Sequence, residues 1–131
     1  MRDHALKVRV RYGETDQMGV VYHANYLLYF EMGRTELLRA AGLPYAELEK
    51  KGVFLVVVEA SCRYRAGARY DETLDVLTRV ERIGKATASF AYEIRGADGR
   101  LCAEGRTELA AVDRSSRPLR LPEEVVRRLE A

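Results

Sequence analysis

Leu6, Val8, Val10 and Tyr12 alternate with Lys7, Arg9 and Arg11, a period of two that predicts a half-buried strand over 6–12. The alternation then stops. Residues 13–21 hold Gly13, Asp16 and Gly19 without either period and predict a loop. Between His23 and Ala41 the spacing becomes helical, through Tyr26, Leu27, Phe30, Leu37, Leu38 and Ala41, and Gly42 stands where a C′ glycine ends a helix. Leu28, Tyr29 and Met32 carry apolar character around most of its first half, so this long helix is expected to be wrapped by other structure.

Turn residues at 42–44 and a short helical piece over 45–51 lead into 53–65. Val53 to Val58 is continuously apolar, and Ala60, Cys62 and Tyr64 then alternate with Glu59, Ser61, Arg63 and Arg65. That predicts a long strand whose start is buried on both faces. Three further strands are predicted at 73–83, 86–95 and 101–113. Gly84 breaks the first pair, and Asp98-Gly99 supplies a two-residue hairpin turn for the second. Pro118 and Pro122 close this region, and a short charged helix follows over 123–129 with Pro122 at its first position.

One strand, one long apolar helix and four antiparallel strands bury the helix only if the sheet curls around it, which makes the chain α+β. A five-stranded open sheet leaves exposed edges, so association of copies through the strand at 53–65 is expected, with dimers pairing into a dimer of dimers. The 131 residues, 47% hydrophobic, suit a single domain over 1–131.

Lys and Arg (22) nearly balance Asp and Glu (20), for a formal net charge of +2. The basic stretch from Arg114 to Arg120, with Arg127 and Arg128, has no stacking aromatics beside it, so no nucleic-acid partner is expected. Residues 1–11 contain no apolar run fit for a signal segment or a membrane span, and a cytoplasmic location is the expectation. Cys62 and Cys102 lie in no metal-ligand or disulfide pattern and are expected to pack on strand faces, so no metal is expected. Gln17 and Asn25 are the only side-chain amides, a depletion expected of a heat-adapted protein and also of codon bias.

The segment Tyr12-Gly13-Glu14-Thr15-Asp16-Gln17-Met18-Gly19-Val20-Val21-Tyr22-His23-Ala24-Asn25-Tyr26 resembles the active-site loop of the 4-hydroxybenzoyl-CoA thioesterase family, including its bacterial Tol-Pal-associated acyl-CoA thioesterase branch. The similarity continues into the helix as Tyr29-Phe30-Glu31 and Arg34-Thr35-Glu36. The resemblance implies a hotdog fold, a long central helix wrapped by a curved five-stranded sheet, and hydrolysis of acyl-CoA or a related pantetheine thioester to acid and free thiol. It implies that Asp16 is the catalytic carboxylate and that the backbone N–H of His23 binds the thioester oxygen. It implies no cofactor beyond the CoA that is part of the substrate.

The residue types suit that chemistry independently. A helix N-terminus leaves unpaired N–H groups in a partial positive field, which suits the oxygen of a tetrahedral intermediate. A nearby carboxylate on a glycine-containing loop can attack the carbonyl or deprotonate water. The departing thiol resembles a cysteine, of pKa about 8.5, and leaves without a strong acid. A lone Asp near Gly is equally a turn residue, and His23 is alternatively a base in a hotdog hydratase or dehydratase. A third reading is a non-catalytic acyl-CoA-binding module.

Tyr22 and Tyr26 are core aromatics or lining for an acyl pocket. Glu59, in an apolar strand, is a candidate to face the cleft between copies. Glu31 and Arg34 are spaced for a helix ion pair, or alternatively order the active-site loop. The CoA phosphates call for cations, with Arg82 and Lys85 as first candidates and Arg63 and Arg65 as alternatives.

Overall fold

Helix α1 (Asn25–Ala40) is enclosed along one side, burying Tyr26, Tyr29, Phe30, Gly33, Leu37 and Leu38, while Leu27, Leu28 and Met32 remain exposed on the other. The computed structural model describes residues 1–131. What encloses α1 is one five-stranded antiparallel sheet formed by β1 (Asp3–Arg9), β2 (Phe54–Tyr64), β3 (Thr73–Ile83), β4 (Thr87–Arg95) and β5 (Leu101–Val112). The spatial order is β1-β3-β4-β5-β2, so the strands next to each other in sequence on either side of the helix, β1 and β2, form the two edges. A short helix α2 (Tyr45–Lys50) turns the chain back from α1 to β2, and α3 (Glu123–Glu130) closes the far end.

Alternating residues of β3 and β4 supply the inner face. Leu74, Val76, Thr78 and Val80 on β3 and Ala88, Phe90, Tyr92 and Ile94 on β4 are buried. Phe30 of α1 stacks on Tyr92, with ring centroids 4.4 Å apart and planes 9° from parallel. Burial of each such side chain contributes about 1.5–3 kcal/mol. The helix comes this close because the sheet offers no side chain at the contact: a Cβ at Gly105 would collide with the Ser61 carbonyl oxygen and lie 2.6 Å from the Phe30 ring.

Four sequence expectations shift. The first strand runs from Asp3 to Arg9 rather than over 6–12, because its partner β3 begins at Thr73, opposite Arg9. Val10 leaves the ladder but stays buried, donating its N–H to Glu72 O at 2.9 Å. Regular α1 begins at Asn25, two residues after His23. The start of β2 is not buried on both faces: Val56, Val57 and Val58 are 42%, 49% and 55% exposed, since β2 is an edge and a register shift falls between Val57 and Glu59. Pro122 caps α3 from outside rather than forming its first residue. Cys102 is buried, Cys62 half-buried, and both are free. No helix is long and apolar enough to cross a membrane.

Candidate active site

The end of the sheet where β1 finishes and β3 begins also carries the 96–100 hairpin turn and the start of α1. Between β1 and α1 the chain makes a 3-10 turn (Tyr12–Glu14) and then a tight loop. Asp16 N–H donates to Val20 O at 2.9 Å, Gly19 N–H donates back to Asp16 O at 3.0 Å, and Thr15 bridges Val21. Gly19 takes φ +81, a left-handed conformation that glycine adopts without strain. One carboxylate oxygen of Asp16 accepts the Met18 N–H at 2.8 Å, so the residue closes its own turn. Its second oxygen accepts no hydrogen bond within the chain.

Glu14 ties this loop to the helix. Its carbonyl accepts the Tyr22 N–H and the Asn25 side-chain amide, each at 2.9 Å. One of its carboxylate oxygens accepts the Arg11 N–H at 2.8 Å and the Tyr29 hydroxyl at 2.9 Å. The other oxygen meets the Arg11 guanidinium at 3.2 Å. Burial works against ionisation of Glu14, but the Arg11 N–H, the Tyr29 hydroxyl and the Arg11 guanidinium outweigh it and hold the carboxyl below its usual range. Burial, and then the neighbouring Glu14 carboxylate, push the Tyr29 phenol up.

The helix begins without a side-chain cap, because Ala24 occupies the N-cap position. Asn25 N–H donates to Tyr22 O at 2.9 Å and Tyr26 N–H to His23 O at 3.3 Å. The N–H groups of His23 and Ala24 donate to nothing in the chain. Two free donors thus stand at the positive end of the helix dipole, at the helix start to which Glu14 and Asn25 tie the loop that holds Asp16. No group of three or more His, Cys, Asp or Glu side chains has metal-binding geometry.

A sequence profile described as the thioesterase-like superfamily matches residues 10–129, which include the loop, α1 and all of the sheet beyond β1. The chain belongs to this superfamily. The acyl-CoA thioester hydrolase YbgC of Escherichia coli is 34% identical over 120 residues, 91% of this chain and 90% of YbgC. A hypothetical protein of Thermus thermophilus, TT1821, has a crystal structure with a TM-score of 0.92 at 40% identity, covering 98% of this chain and 95% of that one. The DHNA-CoA thioesterase of Staphylococcus aureus matches with a TM-score of 0.89 at 34% identity, over 92% of this chain and 82% of its own. The fold is the hotdog fold of that superfamily, as the sequence predicts.

The other predicted site residues fall in different places. His23 is exposed, its ring 4.5 Å from that of Tyr22 and edge-on to Tyr64, with no carboxylate bonded to it. Tyr22 is exposed beside it, whereas Tyr26 belongs to the core at 3% exposure. Glu31 and Arg34 form no ion pair and do not order the loop: Glu31 is exposed and Arg34 donates to Tyr92 OH at 3.2 Å. Glu59 is exposed on the outer face of the sheet across from Glu108. Arg82 and Lys85 sit at the opposite end of β3 from the loop, roughly 30 Å away along the strand, so one chain does not bring them to Asp16. Arg65, held by Glu104 at 3.1 Å, lies at the right end, as does Arg63.

Sequence reasoning missed Glu14, Tyr29, Tyr64 and Arg69. Arg69 reaches Gly19 O at 3.5 Å, and the N–H of Val21 bonds to Ala68 O at 2.8 Å, so the 65–72 segment supports the loop from below. Glu14 and Tyr29 stand within the segments that carry the family resemblance, and that placement is the signal that could have singled them out. A cavity of about 700 Å³ forms a trough across the outer face bordered by Ala5, Leu77, Glu93, Arg63 and Arg106, and neither Asp16 nor His23 lines it. In one chain the site is therefore an open surface at the loop and helix start.

Proposed function

We propose that the protein hydrolyses acyl-CoA thioesters, with Asp16 as general base or nucleophile and the amides of His23 and Ala24 as the oxyanion site. The observation that carries this reading is the joining of two things: an uncapped helix start with two free N–H groups, and a loop bearing a half-buried carboxylate tied to that start through Glu14 and Asn25. The names of relatives at 34% identity support it. In the general-base route, water adds to the thioester carbon as its proton passes to the Asp16 carboxylate. The oxyanion is held by the two amides, and the C–S bond then breaks to give the acid and a thiolate that takes up the proton. In the nucleophile route the carboxylate itself adds and the C–S bond breaks to expel the thiolate; water then hydrolyses the resulting anhydride to the acid and the free Asp16 carboxylate, and the thiolate takes up the proton released.

The hydratase reading needs a His and Asp pair, and the His23 ring lies between Tyr22 and Tyr64 with no carboxylate bonded to it. For the CoA phosphates the cations at the loop's end of this chain include Arg63, Arg65 and Arg69. A cytoplasmic site of action suits the two free cysteines. A panel of aromatic and aliphatic acyl-CoA esters, followed by free-thiol detection, tests the reaction. Thiol release from at least one ester is expected, while hydration of crotonyl-CoA without thiol release sinks the proposal.

The exposed Val56, Val57 and Val58 make an uncharged apolar run on an unpaired edge, interrupted only by the register shift after Val57. A second copy pairing β2 with β2 covers them and walls the open site, and such dimers can pair further into a dimer of dimers. Sedimentation is expected to show at least two chains per particle, and Val57→Lys to lower that mass. A wild-type monomer at micromolar concentration rules this assembly out.

A further inference from the structure

Tyr64 ends β2, and its hydroxyl donates to the carbonyl oxygen of His23 at 3.1 Å, across a separation of 41 residues. That carbonyl and the free N–H of Ala24 are the two ends of one peptide group. A hydrogen bond accepted by a peptide oxygen draws density from its nitrogen and makes the N–H a stronger donor, by about 10–30% per bond in condensed phases. The neighbouring peptide is arranged in the same way: the Tyr22 carbonyl accepts the Asn25 N–H at 2.9 Å, and the other end is the free N–H of His23. The helix itself polarises the His23 amide. The Ala24 amide receives only the longer Tyr26 N–H contact, 3.3 Å, on its carbonyl, and Tyr64 supplies the shorter one.

The ring of Tyr64 is held for this contact. It packs edge-on against Tyr26, with centroids 5.4 Å apart, and edge-on against the His23 ring at 6.2 Å. Tyr26 is anchored in the core, so the hydroxyl is aimed from a fixed support although the residue is itself half exposed. If Tyr64 only packed, the ring would suffice and the hydroxyl would contribute nothing to turnover.

We propose that Tyr64 is a positioning residue for thioester hydrolysis, setting the orientation and donor strength of the Ala24 amide toward the oxyanion. This rests on the oxyanion reading of the His23 and Ala24 amides given above. Tyr64→Phe keeps the ring and removes the hydroxyl. It is expected to lower kcat by about 3- to 10-fold with KM unchanged, a fraction of the loss that follows removal of a whole oxyanion donor.

The decisive readout is the infrared band of a ¹³C-labelled thioester carbonyl bound to Asp16→Asn protein, in which the substrate stays intact. Binding is expected to move the band to lower wavenumber, and adding Tyr64→Phe to return part of that movement. Incorporation of 3-fluorotyrosine at position 64, a stronger donor, is expected to move it further down. A band that shifts on binding by the same amount with and without the Tyr64 hydroxyl overturns the role of Tyr64 and leaves the oxyanion reading standing. A bound thioester whose band does not move at all overturns both.

Discussion

Asp16→Asn is expected to lower kcat for acyl-CoA hydrolysis by about 10³-fold, within the range attributed to a positioned acid or base, while KM changes little. The substitution is nearly isosteric, and the feature that makes it informative is the turn Asp16 closes. An amide oxygen accepts the Met18 N–H as the carboxylate oxygen does, so the 16–19 turn and the Val20 and Gly19 backbone bonds persist. What is lost is the carboxylate's negative charge and its capacity to take a proton or attack a carbonyl. An unchanged melting temperature alongside the lost turnover therefore separates chemistry from folding. Single turnover in ¹⁸O-water reports the attack route: label entering the Asp16 carboxylate shows that water opened an anhydride on the Asp16 side. Turnover within a few-fold of wild type in Asp16→Asn removes this residue from the reaction.

Glu14→Ala should reach the same site from a distance. It leaves the fully buried ring of Tyr29 with an unpaired hydroxyl and frees the Arg11 side chain, at a cost of about 1–3 kcal/mol. The carbonyl of residue 14 can still accept from Tyr22 and Asn25, so the loop loosens rather than detaches. A kcat about 10-fold lower, with faster hydrogen exchange at the Asp16 and Gly19 amides, is the expected result. Wild-type exchange and turnover would show that Glu14 merely fills space.

The pH dependence follows from the sign of the shift. The folded-state pKa of Glu14 lies below its unfolded value, so its contribution is complete above the unfolded value and is lost as pH falls through the folded one. Glu14→Gln is therefore expected to flatten the acid side of a melting-temperature profile, and to leave its slope above neutrality unchanged.

Much of the architecture was legible because hydrophobic period tracks burial. The strand expected over 73–83 is β3 to the residue, and the β4 to β5 turn falls at Asp98-Gly99 but is longer than the two residues expected, with the Gly96 N–H bonded to Arg100 O and Gly99 at φ +86. The reading failed at β2. A run of valines looks the same whether the sheet covers it or another molecule does, and here the chain itself leaves Val56 to Val58 in the open. Nor does local sequence say which end of β3 Arg82 and Lys85 occupy, which within one chain is the end away from the loop.

Local sequence determined that a loop carrying Asp16 precedes a helix with no good capping residue, because turn-forming glycines and a missing cap are properties of a few consecutive residues. Tertiary structure alone decided what surrounds that helix start. Glu14 meets Tyr29 fifteen positions on, the Val21 amide meets Ala68, and Tyr64 arrives from an edge strand. Those encounters depend on how the sheet curls around α1, and no periodicity encodes the partner of a single hydroxyl or carboxylate.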